Sequence, residues 1–168
     1  MRSWDMTADK ENLADGVEMK FIADGMLGRL AKWLRVLGYD TAYFPHLDDD
    51  QLVHLARAEG RLLLTRDRGL ARRRGLQCLL IGSNRLEEQL SQVLTDLALT
   101  EAHPFSRCPV CNTPLQEVEK PGLEGRVPAH IFRTHKDFSL CPNCDRIYWP
   151  GTHWARMQEK LAEFRRRP

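Results

Sequence analysis

The sequence predicts an α/β protein: a parallel sheet with flanking helices, followed by a small cysteine-paired module and a C-terminal helix. Two observations carry this. Between residues 20 and 99, short apolar runs alternate with segments of helical periodicity. Strand–helix alternation of that kind builds a parallel sheet covered by helices. Beyond Glu101 the texture changes, because His103-Pro104 opens a stretch richer in proline and glycine that holds two Cys-x-x-Cys pairs.

Each element has its own signal. Residues 20–23 read as a first strand. Residues 25–37 read as a helix, with Met26, Leu27, Leu30, Trp33, Leu34 and Leu37 at helical spacing on one face. Gly38 stands where a C′ glycine belongs. Residues 41–44 form a second strand, stopped by Pro45. A helix over 49–59 buries Leu52, Leu55 and Ala56. Asp48 and Gln51 have capping-box spacing at its start, and Gly60 ends it. Residues 61–65 and 77–81 are two more strands; the unbroken Leu62-Leu-Leu64 run fits a strand covered on both faces. Cys78, alone in Gln77-Cys-Leu-Leu-Ile81, reads as a small buried hydrophobe. A third helix over 85–99 turns Leu86, Leu90, Val93, Leu94 and Leu97 inward. The boundary falls near residue 102, separating an α/β domain over 19–102 from a module over 103–168 that closes with a helix over 153–166.

The 168 residues are 42% hydrophobic and 29% charged, an ordinary soluble composition. That length suits one medium domain or two small ones, and a small second unit needs a staple. No stretch reaches the roughly 18 apolar residues of a membrane span. Residues 1–18 are polar, unlike a secretory signal, and read as a disordered extension. The expected location is cytoplasmic. Net charge is +2, with −3 on residues 1–18 and +5 on the remainder. A mildly basic body suits a polyanionic partner without demanding one.

The strongest chemical signal is the pair of knuckles Cys108-Pro-Val-Cys111 and Cys141-Pro-Asn-Cys144. With no export signal, metal binding is favoured over disulfides. Each pair offers two thiolates, and four complete a tetrahedral zinc site. The interval from 112 to 140 exceeds common ribbon spacing, so a hairpin with an inserted loop around Pro121-Gly122 is expected. Such a closed site is structural, and it supplies folding energy that a small module lacks.

Three groups of carboxylates stand where a parallel sheet places its sites, beyond the carboxyl ends of the strands. Asp24 follows the first strand, and Asp67 follows the 61–65 strand by two residues. Asp48, Asp49 and Asp50 begin the helix that leads into that strand, so they start on the same side. Converging carboxylates repel unless a hard cation lies between them, which points to Mg²⁺ or Mn²⁺. Such an ion serves phosphodiester hydrolysis. Each acid also has a plain structural use: Asp24 and Asp48–Asp50 as helix-start residues, Asp67 as a turn former.

Basic residues accompany them. Arg29, Lys32 and Arg35 recur every three residues opposite the apolar stripe of the first helix, a stripe able to track a phosphate backbone. Arg66 and Arg68 flank Asp67. Arg72-Arg-Arg74 and Arg165-Arg-Arg167 read as solvated runs.

Phe21-Ile-Ala-Asp-Gly-Met-Leu-Gly-Arg-Leu-Ala-Lys-Trp-Leu-Arg-Val-Leu-Gly-Tyr-Asp40 resembles the opening of a PIN-like RNase family, the one named after the C-terminal domain of the mut-seven exonuclease. The resemblance continues through Asp48-Asp-Asp50, Glu59-Gly-Arg-Leu-Leu-Leu-Thr-Arg-Asp67, both cysteine pairs and Tyr148-Trp-Pro-Gly-Thr-His153, covering about residues 20–160. It implies a PIN-like fold, divalent-metal catalysis, a 5′-phosphate product, and single-stranded or structured RNA as substrate, transfer RNA included. By position it assigns catalysis and the Mg²⁺ or Mn²⁺ to Asp24, Asp67 and one acid of the helix; spacing to Ala56 favours Asp49, then Asp50. From their own placement, Arg29, Lys32, Arg35, Arg66 and Arg68 are the candidate RNA contacts, with a solvated face for the first three and pairing with acids for the last two as the plain readings. A further acid that many PIN nucleases carry on another helix is not placed in this sequence. PIN-like domains often dimerise, so monomer and dimer both stay open.

Two other readings compete. A non-catalytic RNA-binding module would use the zinc ribbon and the basic helix. A phosphotransfer receiver would want paired acids after the first strand, where Phe21-Ile-Ala-Asp24 offers one.

Overall fold

Phe21–Ala23 (β1), Thr41–Tyr43 (β2), Leu62–Thr65 (β3) and Cys78–Leu80 (β4) pair in parallel, in the order β2-β1-β3-β4. The structure, a computed structural model, describes residues 19–99 and 103–166. The expected extension over 1–18 and the expected boundary at 102 lie outside the described residues.

Strand alternation divides the core into two layers. Phe21, Ala23 and Leu64 point to one side, with Leu27 just before Gly28–Val36 (α1), Leu30 and Leu34 within it, and Leu90 and Val93 of Leu86–Asp96 (α4). Ile22, Ala42, Leu63 and Cys78 point to the other, against Leu52, Val53 and Ala56 of Asp49–Ala58 (α2) and Leu70 of Arg68–Ala71 (α3). Both layers are needed because β1 and β3 are covered on both faces, as the unbroken apolar run in β3 requires. The chain runs from β1 outward to β2, then crosses back to β3 on the far side of β1. Right-handed crossovers therefore put α1 and α2 on opposite faces. The carboxyl ends of β1 and β3 form the crevice where the strand order reverses.

The helix expected over 25–37 is divided. Gly25–Leu27 is a 3₁₀ turn, and the α-helix starts only at Gly28. The tighter turn rotates Met26 off the apolar stripe, and it is 59% exposed rather than buried. Gly38 ends the helix at φ 97°, where any Cβ would lie 2.3 Å from the carbonyl oxygen of His103. The returning chain thus packs against the helix end, and the Phe105 N–H bonds Val36 O at 2.7 Å.

The second module is an antiparallel sheet of Gln116–Val118 (β5), Phe138–Leu140 (β6) and Ile147–Tyr148 (β7), in that order. The inserted loop is itself folded. A 3₁₀ turn, Lys120–Leu123, and Ala129–Thr134 (α5) bury Leu123 and Val127 with Phe138 as a small core. The last helix, Thr152–Arg166 (α6), packs on α4; its Trp154 stacks on Phe105 with ring centroids 3.5 Å apart. The fold is the α/β sheet, cysteine module and C-terminal helix that the sequence predicts.

Candidate active site and metal centre

Asp24 leaves β1 in extended conformation, at φ −59° and ψ 153°, directly before the 3₁₀ turn. It could cap that turn, but its side chain makes no capping bond. Instead its Oδ2 accepts a hydrogen bond from the Thr65 hydroxyl at 2.6 Å, across β1 and β3. Thr65 is fully buried, and its oxygen also accepts the Asp67 N–H at 3.0 Å. One hydroxyl therefore orients the first acid and the backbone of the second. Asp67 is exposed, and its Oδ1 caps α3 by accepting the Leu70 N–H at 2.9 Å. Sequence reasoning missed Thr65. Its signal was a polar residue ending an apolar strand two positions before an acid.

The acids of α2 are placed differently. Asp48 is the N-cap, with a complete capping box to Gln51. Asp50 is ion-paired with Arg73, and Asp49 approaches the same guanidinium at 3.9 Å. The bond to Asp50, with the charges of Asp49 and Asp48, holds Arg73 above its ordinary value. Asp24 and Asp67 are thus joined through Thr65, whereas Asp49 and Asp50 are drawn to Arg73. Among the described residues, the four cysteines are the grouping of three or more metal-ligating side chains within 4.8 Å of one another.

Arg66 and Arg68 are exposed on either side of Asp67, and Arg29 and Lys32 are exposed on α1. Arg35 departs from that stripe. It is 6% exposed, its Nε donates to Thr41 O at 2.8 Å, and its Nη1 donates to Val110 O at 2.8 Å and Pro109 O at 3.3 Å. The expected RNA contact is instead a buried tie between α1, β2 and the first knuckle. The three-residue spacing turned it toward the returning chain, which periodicity alone does not reveal. Burial lowers the Arg35 value, partly offset by the charges of Cys108, Cys111 and Asp40.

The four sulfurs converge as the spacing predicts. Cys108 and Cys144 Sγ lie 3.6 Å apart, and Cys111 and Cys141 Sγ lie 3.3 Å apart. These separations exceed the roughly 2.05 Å of a disulfide and approach the edge of about 3.8 Å in a tetrahedron with Zn–S bonds near 2.3 Å. The donor set fits a closed zinc site. Asn112 and Asp145 follow the second cysteine of each knuckle at φ 70° and 57°. That left-handed conformation, which Asn and Asp tolerate, turns the chain back around the sulfurs. Burial opposes charge at Cys111 and Cys144 alike. Hydrogen bonds involving Thr113, Asn143 and Cys141 still bring Cys111 down to about 5, while burial and the Cys141 sulfur push Cys144 up to about 12. A cation shared by the four sulfurs would favour their ionised form together. The Tyr148 hydroxyl lies 3.0 Å from Cys108 Sγ, and burial and that neighbour push its value up, so the phenol keeps its proton.

The knuckle and the α/β layer share a polar network. Asp40 accepts from Arg61 Nη1 at 2.6 Å and from Asn112 Nδ2 at 2.7 Å, and Arg107 stands 3.9 Å away. Asn112 Oδ1 accepts the Thr41 N–H at 3.0 Å. Burial alone would raise Asp40, but the bonds from Arg61 and Asn112 and the charges of Arg61 and Arg107 hold it below its ordinary value.

A parallel sheet with an acid at its reversal point, tied to a four-cysteine module, defines a class: a parallel α/β domain with a cysteine cluster that fits a zinc ribbon. The family described as the Mut7-C RNAse domain matches residues 19–161, and the chain belongs to it. No curated protein and no solved structure matches the chain.

Proposed function

We propose that this chain is an endoribonuclease that hydrolyses RNA phosphodiester bonds at Asp24 and Asp67 with Mg²⁺ or Mn²⁺, its ribbon holding structural zinc. Membership of an RNase domain family supports the substrate class. The observation that supports the reading is the Thr65 hydroxyl, which donates to the Asp24 carboxylate and accepts the backbone N–H of Asp67 at the reversal point of the sheet. One oxygen of each acid is committed, Asp24 Oδ2 to Thr65 and Asp67 Oδ1 to Leu70 N–H, which leaves the second oxygen of each for a hard cation. When bound, that ion polarises the phosphate and lowers the pKa of water. Asp24 and Asp67 would hold it, with Asp49 or Asp50 joining if Arg73 releases them. Arg66 and Arg68 face the phosphate charge, and Arg29 and Lys32 extend the contact along the RNA backbone. Water oxygen bonds to phosphorus, the 3′-oxygen leaves with a proton, and the product end is a 5′-phosphate. Four cysteines grouped to share one metal ion suit a reducing compartment, and cytoplasmic placement belongs to this proposal.

The test is cleavage of end-labelled RNAs, transfer RNA included, with Mg²⁺ or Mn²⁺. Wild type cuts, and Asp24→Asn and Asp67→Asn do not. Asn caps helices as well as Asp, so loss at Asp67 would not reflect a lost cap. A second reading, a non-catalytic RNA-binding module, is favoured by the pairing of the α2 acids with Arg73. No cutting by wild type, with RNA binding retained in both variants, would select it.

A further inference from the structure

Resting on the nuclease reading, we infer that Phe44 and Leu80 are the specificity-determining contacts for unpaired nucleobases on either side of the scissile phosphate. Large apolar side chains are seldom left in solvent without use when they share one small region. Among the described residues, those exposed are Met26, Phe44, Leu80 and Val110; Phe44 is 46% and Leu80 38% exposed. Val110 belongs to the knuckle, but the other three lie at the carboxyl end of the parallel sheet.

Register places two of them with the acid. Ala23 pairs with Tyr43 and with Leu64, and Thr65 pairs with Leu80. One residue further on, Asp24 stands between Phe44 and Thr65. Alternation gives the facing. Ala42, Ile22, Leu63 and Cys78 turn toward α2 and α3, so the residues two positions on turn the same way. Phe44 precedes Pro45 and so stays extended. The sheet therefore ends in one row, Phe44–Asp24–Thr65–Leu80: Thr65 and Leu80 are the last residues of β3 and β4, and Phe44 and Asp24 directly follow β2 and β1. Three inter-strand spacings of about 4.8 Å make the row about 14 Å long. The acid and its positioning hydroxyl occupy the middle, and an apolar side chain stands at each end. Exposed Arg66 and Arg68 supply the cationic charge that a phosphate beside the acids requires. An RNA strand laid along this row meets carboxylates at its phosphate and apolar surface at its bases. Paired bases are stacked within a helix and offer no free face, whereas unpaired bases do.

The experiment compares RNA oligonucleotides that differ only at the nucleotides flanking the cut: intact, abasic, or base-paired in a duplex. Cleavage is followed with Mg²⁺. Binding is followed without divalent ions, by the emission of 2-aminopurine placed at the same positions. Wild type should prefer the intact unpaired strand to the abasic one by about ten- to a hundredfold, the range of one base-stacking contact. Phe44→Ala should bind intact and abasic strands alike on its side, and Phe44→Trp should restore the preference. Leu80→Ala should lose a smaller, several-fold preference on the other side. Both side chains are exposed, so the variants keep the fold. Cleavage by the two alanine variants with the wild-type preference intact would overturn this inference and leave the nuclease standing. The same binding pattern without any cleavage by wild type would uphold the base contacts and remove the nuclease.

Discussion

Thr65 concentrates the chemistry of the site in one hydroxyl. It is buried, donates to Asp24 and accepts from Asp67 N–H. Thr65→Val keeps the shape and removes both bonds. We expect cleavage to fall by about 10–100-fold, the usual effect of losing a group that orients a metal-binding side chain. Stability should drop by about 1–3 kcal/mol, because the Asp67 N–H loses its acceptor. Denaturant unfolding and cleavage rates on one preparation separate the two. Thr65→Ser should restore much of both. Arg35 is the opposite case, a charged residue whose role is structural. Arg35→Ala leaves the carbonyls of Thr41, Pro109 and Val110 without their donor and should cost about 3 kcal/mol in urea unfolding. RNA affinity should change far less than in Lys32→Ala. A large loss of affinity with unchanged stability would return Arg35 to the binding surface.

Elements were more readable in the sequence than their junctions. The strands β1 to β4 and helices α1, α2 and α4 follow from apolar periodicity, because each buries a face large enough to leave a pattern. The capping box at Asp48 and the turns at Gly38 and Gly60 follow from chemistry that few residues perform. What periodicity missed is short or non-local. The 3₁₀ turn at Gly25–Leu27 shifted the phase of the stripe, and α3 and α5 are too short to leave one. The network around Asp40 joins residues from 40 to 112, and no local pattern records it. The cysteines were visible because sharing one metal would require their spacing; the acids were visible by their places after β1 and β3 and at the start of α2, places that helix-start and turn residues also occupy. Asp40 also carries a pH signature. Its value is depressed in the folded chain, so its contribution is present above the unfolded value near 3.9 and is lost as pH falls through the folded one. In excess zinc, Asp40→Asn should therefore lower stability at neutral pH by about 2 kcal/mol. The gap from wild type should stay constant above about pH 5 and narrow below pH 4. A gap that widens toward acid would contradict this assignment.

At the scale of the whole molecule, the ribbon has a small core, Leu123, Val127 and Phe138 with a few partly buried neighbours, so a metal on its four sulfurs should carry much of its stability. Metal binding then counts as folding free energy for this half. Elemental analysis should find one zinc per chain. Chelation should lower the melting temperature by roughly 10 °C or more, at about 2–4 °C per kcal/mol for a chain of this size. Amides of β6 and β7 should lose hydrogen-exchange protection before those of β3. Uniform loss across both halves would show instead that the two unfold as one unit.

The placement of Asn112 and Arg35 on β2 has a consequence beyond stability. β2 is the outermost strand on its side, and an uncovered outer strand is a template for pairing with another chain. Here the Thr41 N–H is taken by Asn112 and the Thr41 carbonyl by Arg35. Both contacts depend on the first knuckle keeping its shape. Stripping a metal from these four sulfurs should therefore open that strand to neighbouring copies, so a zinc held there would guard against self-association as well as clasp the chain.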